Sequence, residues 1–185
     1  MIVAVVLAAG EGSRFTGPQH KLRTPVEGVP LVRRAVDAAV ASGIGPVVVV
    51  TGAVGLDDVL PPRCSVVANP GWPSGQASSL QVGIAAADAL GADAVVVGLG
   101  DMPGVPAEAW RAVGDDGGDL VTAAYDGHPS PPVRIARVLW AELPMSGDVG
   151  ARALMQRRPE LVRVVAVDGS AADVDHPGDL GPGGG

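Results

Sequence analysis

The chain has 185 residues, enough for one domain with a substantial core, and it is 47% hydrophobic but only 3% aromatic, so that core must be built from Val, Leu, Ala and Ile. A formal net charge of −7 argues against the basic face of a general nucleic-acid binder, and no apolar run approaches the roughly 20 residues of a membrane span. The single cysteine, Cys64, excludes an internal disulfide and a cysteine-rich metal site, and the apolar start Met1–Gly10 has no basic leader, so a cytoplasmic protein with one small buried thiol is expected.

Residues 2–7 form a continuous apolar, β-branched run of strand length, as expected of a strand covered on both faces. The turn Gly10-Glu11-Gly12-Ser13-Arg14 follows, and then Lys21, the one lysine among 13 basic residues. Apolar residues at helical spacing (Leu31, Ala35, Val36, Ala39, Val40) predict a helix over 31–42 that stops at Gly43. Strands are predicted over 47–51 and, more weakly, 64–68, then a helix over 75–90 ending at Gly91. A buried strand over 94–99 is broken by Gly100-Asp101-Met102-Pro103, and a short helix over 106–113 carries Pro in its first turn. Strands over 120–125 and 162–167 close the pattern, with a helix over 149–157 between them. Asp148 is expected to cap that helix, and Gly127-His128-Pro129 to form a loop. Residues 1–180 read as one domain and the glycine-rich residues 181–185 as a disordered tail.

Strands alternating with helices imply a parallel α/β sheet, which binds ligands beyond the C-terminal ends of its strands. Both unusual turns, 10–14 and 100–103, directly follow buried strands and so belong on one rim. Backbone N–H groups of a glycine-rich turn together with a compact ammonium group suit a polyphosphate. The P-loop pattern fails, because Lys21 lies between His20 and Leu22. The dinucleotide fingerprint fails too, with Phe15 at the third glycine position and Val50-Thr51-Gly52, not an acid, ending the second strand.

What remains, Leu7-Ala8-Ala9-Gly10-Glu11-Gly12-Ser13-Arg14 followed by Lys21, resembles the signature of nucleotidyltransferases with a nucleoside-triphosphate-binding domain, and most closely the molybdenum cofactor cytidylyltransferases. Five further segments resemble that family in the same order. They are Ala68-Asn69-Pro70-Gly71-Trp72 with Gly75 and Ser78-Ser79-Leu80, then Leu99-Gly100-Asp101-Met102-Pro103, Gly127-His128-Pro129, Gly147-Asp148-Val149-Gly150-Ala151-Arg152, and Asp173-Val174-Asp175-His176-Pro177-Gly178-Asp179-Leu180.

The resemblance implies a single-domain, Rossmann-like three-layer sandwich with a mostly parallel sheet, of the nucleotide-diphospho-sugar transferase type. It implies a Mg²⁺-dependent transfer of CMP from CTP to a molybdopterin-type phosphate with release of pyrophosphate, the product passing to a molybdoenzyme or its chaperone. Arg14, Lys21 and Asp101 would be catalytic, and Asp101 and Asp175 would hold the metal. Leu7, Ala8, Ala9, Gly10, Gly12, Ser13, Arg14, Lys21, Asn69, Gly75, Ser78 and Ser79 would bind the nucleotide. Ala9, where guanylyl relatives carry glycine, narrows the base pocket in favour of a pyrimidine, a preference worth ~1–3 kcal/mol.

Two departures stand out. Six residues, Phe15 to His20, separate Arg14 from Lys21, more than relatives commonly have, and Ser130-Pro131-Pro132 replaces the usual Val or Leu and an aromatic on the acceptor side. The open alternatives are a guanylyltransferase or another nucleotidyltransferase with a different phosphate acceptor, a pyridine-nucleotide-dependent oxidoreductase on the same fold, and a nucleotide-binding chaperone.

Overall fold

A computed structural model describes residues 1–13, 15, 16 and 18–174. At its centre lies β1 (Ile2–Ala8), paired in parallel with β4 (Val47–Thr51) on one side and β6 (Ala94–Leu99) on the other, so that Val5 faces both Val48 and Val97. The sheet has seven strands, in the order β5-β4-β1-β6-β8-β7-β9, with β5 (Cys64–Ala68) and β9 (Val162–Ala166) at the edges and β7 (Leu120–Tyr125) and β8 (His128–Ala136) between β6 and β9. A fully enclosed central strand explains why residues 2–7 show no polar alternation.

The two faces of β1 are divided by its period of two. Ala4, Val6 and Ala8 point into a core completed by α1 (Leu31–Ser42) and α3 (Ala107–Asp115), where Leu31, Val36, Trp110 and Val113 are buried. Val3, Val5 and Leu7 point into the opposite core, completed by α2 (Gln76–Ala89) and α4 (Gly150–Arg157), with Leu80, Ile84 and Leu154. The result is a three-layer α/β/α sandwich. Helix α1 ends as predicted at Gly43, which takes a left-handed conformation (φ 68°) that a side chain would disfavour. No helix among the described residues is long and apolar enough to cross a membrane.

The principal departure from the sequence reading is β8. The segment expected as a loop around His128 is a nine-residue strand, and within the seven-stranded sheet it alone runs antiparallel to its neighbours. Its prolines concealed it. Strand β6 pairs only with Val133–Ala136, and the register of β7 shifts between Thr122, opposite Val133, and Ala123, opposite Ser130. Pro131 and Pro132 therefore fall in the bulge, beyond the reach of β6, where a missing N–H breaks no ladder. A two-residue hairpin, β2 (Pro25–Val26) and β3 (Val29–Pro30), was likewise not predicted.

Gly98 in β6 is required by contact, not by conformation. A Cβ there would lie 2.5 Å from Cζ2 and 2.6 Å from Cη2 of Trp110, a ring only 2% exposed and unable to retreat. Gly98→Ala is expected to cost about 1–3 kcal/mol through overpacking, read as a lower urea midpoint. An unchanged midpoint would show that the Trp110 layer adjusts.

Candidate active site

The turn after β1, the turn after β6 and the entry to α2 converge on the C-terminal rim of the sheet, around a cleft of about 340 Å³. Leu7, Ala8, Ala9, Gly10, Gly12, Ser13, Lys21, Gly75, Ser79 and Asp101 all line it, so ten of the residues singled out from sequence meet in one place. Asn69 and Ser78 stand behind the wall, and Arg14 and Asp175 lie outside the described residues.

Lys21 opens a single 3₁₀ turn (Lys21–Arg23), pinned by Leu22, which is 4% exposed in the core. Its ammonium group donates to Asp101 Oδ2 at 2.7 Å, with the side chains 9% and 25% exposed. Asp101 leaves the end of β6 in a tight turn, its carboxylate over the rim. Its own carbonyl accepts from Val174 N–H (3.1 Å), which brings the chain immediately before Asp175 to the same corner. A positive and a negative group, both partly desolvated, are thus ready to meet an anion and a cation.

His20 caps that 3₁₀ turn. Its Nδ1 accepts from Leu22 N–H at 3.2 Å, and Nε2, which therefore carries the ring proton, lies 3.2 Å from the Gly10 carbonyl. Gly12, at φ 66°, packs on this pair; a Cβ there would stand 3.1 Å from Lys21 Cβ. Burial pushes the His20 imidazole below its ordinary 6.5, and the nearby charges of Lys21 and Arg23 act in the same direction, against the raising effect of the backbone bonds to Gly10 and Glu11.

The opposite wall is built on Asn69, which is 3% exposed and has its whole amide committed. Oδ1 accepts from Gly71 N–H (2.9 Å), while Nδ2 donates to Ser78 Oγ (2.9 Å) and Ser79 Oγ (3.0 Å). Asn69 thereby fastens the turn after β5 to the first turn of α2 and aims Ser79 at the cleft. Gly52, just past β4, has a Cβ position 2.7 Å from the Ala9 carbonyl and 2.8 Å from Trp72 Cβ, so only a bare backbone lets the two walls approach this closely. A glycine directly after a buried strand was the available signal for it.

Asp148 corrects an expectation. Helix α4 has Val149 at its N-cap position and no side-chain cap, and Asp148 lines the cleft instead. Two backbone bonds, Ala77 N–H to the Gly147 carbonyl (2.9 Å) and Gly147 N–H to the Ser74 carbonyl (3.0 Å), dock its loop on the entry to α2. Gly75 makes room: at φ 103°, a Cβ would lie 2.6 Å from Asp148 Oδ1 and from the Gly147 carbonyl. Trp72 and Gln76 complete this side. Nothing local to residues 147–152 predicts the docking, because its partners lie about 70 residues earlier.

A glycine-rich turn, a lysine and a strand-end aspartate gathered over the C-terminal rim of a largely parallel sheet give an α/β domain whose rim has the donor set that suits a polyphosphate. The chain belongs to the MobA-like NTP transferase domain family, which matches residues 4–164. It is similar to a nucleotidyl transferase from Methanothermobacter thermautotroptrophicus (TM-score 0.83, 27% identity, 97% of this chain and 94% of that one) and to Rv0371c from Mycobacterium tuberculosis (TM-score 0.82, 29% identity, 96% and 94%), the latter also solved as a complex with manganese. The bifunctional protein GlmU of Rhizobium etli is 32% identical over 146 residues, which are 74% of this chain and 31% of that protein; this chain spans under a third of the length of such curated relatives.

Gly75→Ala should cost about 1–3 kcal/mol and dislodge the 147–148 loop, seen as exposure of Ala77 N–H to hydrogen exchange. Retained protection at Ala77 would overturn the docking role. Because the native fold favours neutral His20, its contribution to stability is complete above pH 6.5 and is lost as the pH falls through the lower native value. Urea midpoints measured from about pH 7.5 to 5 should fall more steeply for the unsubstituted protein than for His20→Asn. Parallel slopes would remove His20 as the source.

Proposed function

We propose that this protein is a metal-dependent cytidylyltransferase that moves CMP from CTP to a molybdopterin-type phosphate and releases pyrophosphate. The observation that carries the reading is the Lys21–Asp101 pair, at 2.7 Å, beside a glycine-rich turn on the rim of the sheet. The acceptor phosphate oxygen forms a bond to the α-phosphorus as the bond to the β-phosphate oxygen breaks. Such a transfer needs positioning and charge compensation and no covalent residue.

Lys21 and Arg14 hold the triphosphate and stabilise the charge that gathers on departing pyrophosphate. N–H groups of the 10–13 turn cradle the phosphates, and Ser79, held by Asn69, faces the base or ribose. Asp101 is a hard carboxylate donor of the kind Mg²⁺ or Mn²⁺ takes, and Asp175, next in the chain to Val174, is its proposed companion. One or two carboxylates together with substrate phosphates are a usual donor set for such a cation. Bound there, the cation would supply charge neutralisation at the reacting phosphate. The choice of CTP is supported by Ala9, which is buried in the cleft wall against Gly52 and leaves less room for a purine than glycine would.

Pyrophosphate release is expected with CTP and Mg²⁺ in the presence of reduced molybdopterin, and a saturating nucleotide at ~100 times its Kd should add about 2.7 kcal/mol of stability. A melt that responds to GTP points to a guanylyltransferase. One that responds to NADPH and ignores all nucleoside triphosphates overturns the transferase reading. Lys21→Ala should lower kcat/KM by roughly 10²–10³ with the fold retained, and wild-type turnover in that variant would overturn the role of Lys21.

A further inference from the structure

Six residues lie between Arg14 and Lys21, so the glycine-rich turn and the lysine proposed to act with it are not adjacent in the chain. Ordering such a span carries a closure cost, and a flexible lysine stem does not aim itself. Phe15 seats the start of this stretch in the core, and His20 ties its end to the rim turn. His20 reaches back ten residues to the Gly10 carbonyl through Nε2 while its Nδ1 holds Leu22 N–H, so the two ring nitrogens bracket Lys21 in the chain and tie its 3₁₀ turn to the rim turn. The His20 carbonyl is anchored as well, accepting from Arg23 N–H (2.9 Å) and Thr24 Oγ1 (3.3 Å), so the ring projects from a fixed base. Because a trans peptide points its carbonyl and the following N–H in opposite directions, fixing the Gly10 carbonyl also fixes the direction of Glu11 N–H in the cleft-lining turn.

We propose that His20 is a positioning residue for the polyphosphate, a two-point clamp that sets the plane of the Gly10–Glu11 peptide and the approach of Lys21. The proposal rests on reading the cleft as a nucleoside-triphosphate site. The two contacts can be separated by chemistry. An Asn amide oxygen can take the place of Nδ1 and keep the Leu22 cap, but it does not reach Gly10. A Gln amide nitrogen can take the place of Nε2 and donate to Gly10, but it leaves the cap.

The experiment is titration calorimetry of the full chain with magnesium pyrophosphate, which has no base to complicate the reading, and with CTP, GTP, UTP and ATP, alongside urea midpoints. His20→Ala and His20→Asn should each weaken pyrophosphate binding by about tenfold, the scale of one lost hydrogen bond, while His20→Gln recovers most of that loss even if its midpoint is the lower of the two amide variants. Equal pyrophosphate affinity in the unsubstituted, Ala and Asn proteins overturns the clamp and leaves the nucleotide reading intact. So does an affinity that tracks the urea midpoint with no recovery by Gln, which would mark His20 as purely structural. No binding of any of the four triphosphates by the unsubstituted protein overturns the reading of the cleft and the clamp with it.

Discussion

Lys21 and Asp101 are separated by 80 residues in the chain and 2.7 Å in the fold, and the rim is organised around that pairing. Withdrawing both charges from water is costly, and such a pair rarely adds net stability over a well-packed apolar alternative. Its placement has another consequence. It joins the turn after β1 to the turn after β6, the two strands that meet at the centre of the sheet, so any shift of one turn is felt by the other. On the proposed reading the same two groups would receive an anion and a cation, and their pairing would be a mutually neutralised form of that site.

Around this pair the walls are set by close backbone approach. Gly12 lies against Lys21, Gly52 lets the β4 end meet Ala9 and Trp72, and Gly75 admits the loop that carries Asp148. Gly52 and Gly75 leave no room for a Cβ against their neighbours, while Gly12 is set mainly by its left-handed conformation (φ 66°). Asn69 adds the polar counterpart, satisfying its whole buried amide with one loop N–H and two serine hydroxyls. The cleft walls are thus held by close contacts at glycines and one saturated amide, together with the large side chains of Phe15, Leu22 and Trp72 that line it.

The helix over 31–42 and the strands over 47–51, 64–68, 94–99 and 120–125 were legible to the residue, because each is a local run of one period and all but 64–68, which lies between Arg63 and Asn69, are bounded by glycine, proline or aspartate. Strand β8 was not, since local proline content outweighed a pairing that depends on where β6 stops. Of the site, the glycine-rich turn, Lys21 and Asp101 were legible from motif and from the rule that strand ends face the ligand. Asn69 and Ser78 were found by motif, and the structure gives them supporting places behind the wall. His20 and Asp148 carried no local signal that set them apart from a loop residue and a helix cap.

By itself the sequence determined the alternation of strands and helices, the rim on which the unusual turns lie, and the chemical character of the groups there, since all of these follow from short-range patterning and residue type. Only the tertiary structure decided which charges pair, that β8 runs against its neighbours, that the 147–148 loop docks on the entry to α2, and that His20 bridges a ten-residue span. Those outcomes depend on distances between segments tens of residues apart, set by packing against a sheet whose strand order is not written in any single stretch of chain.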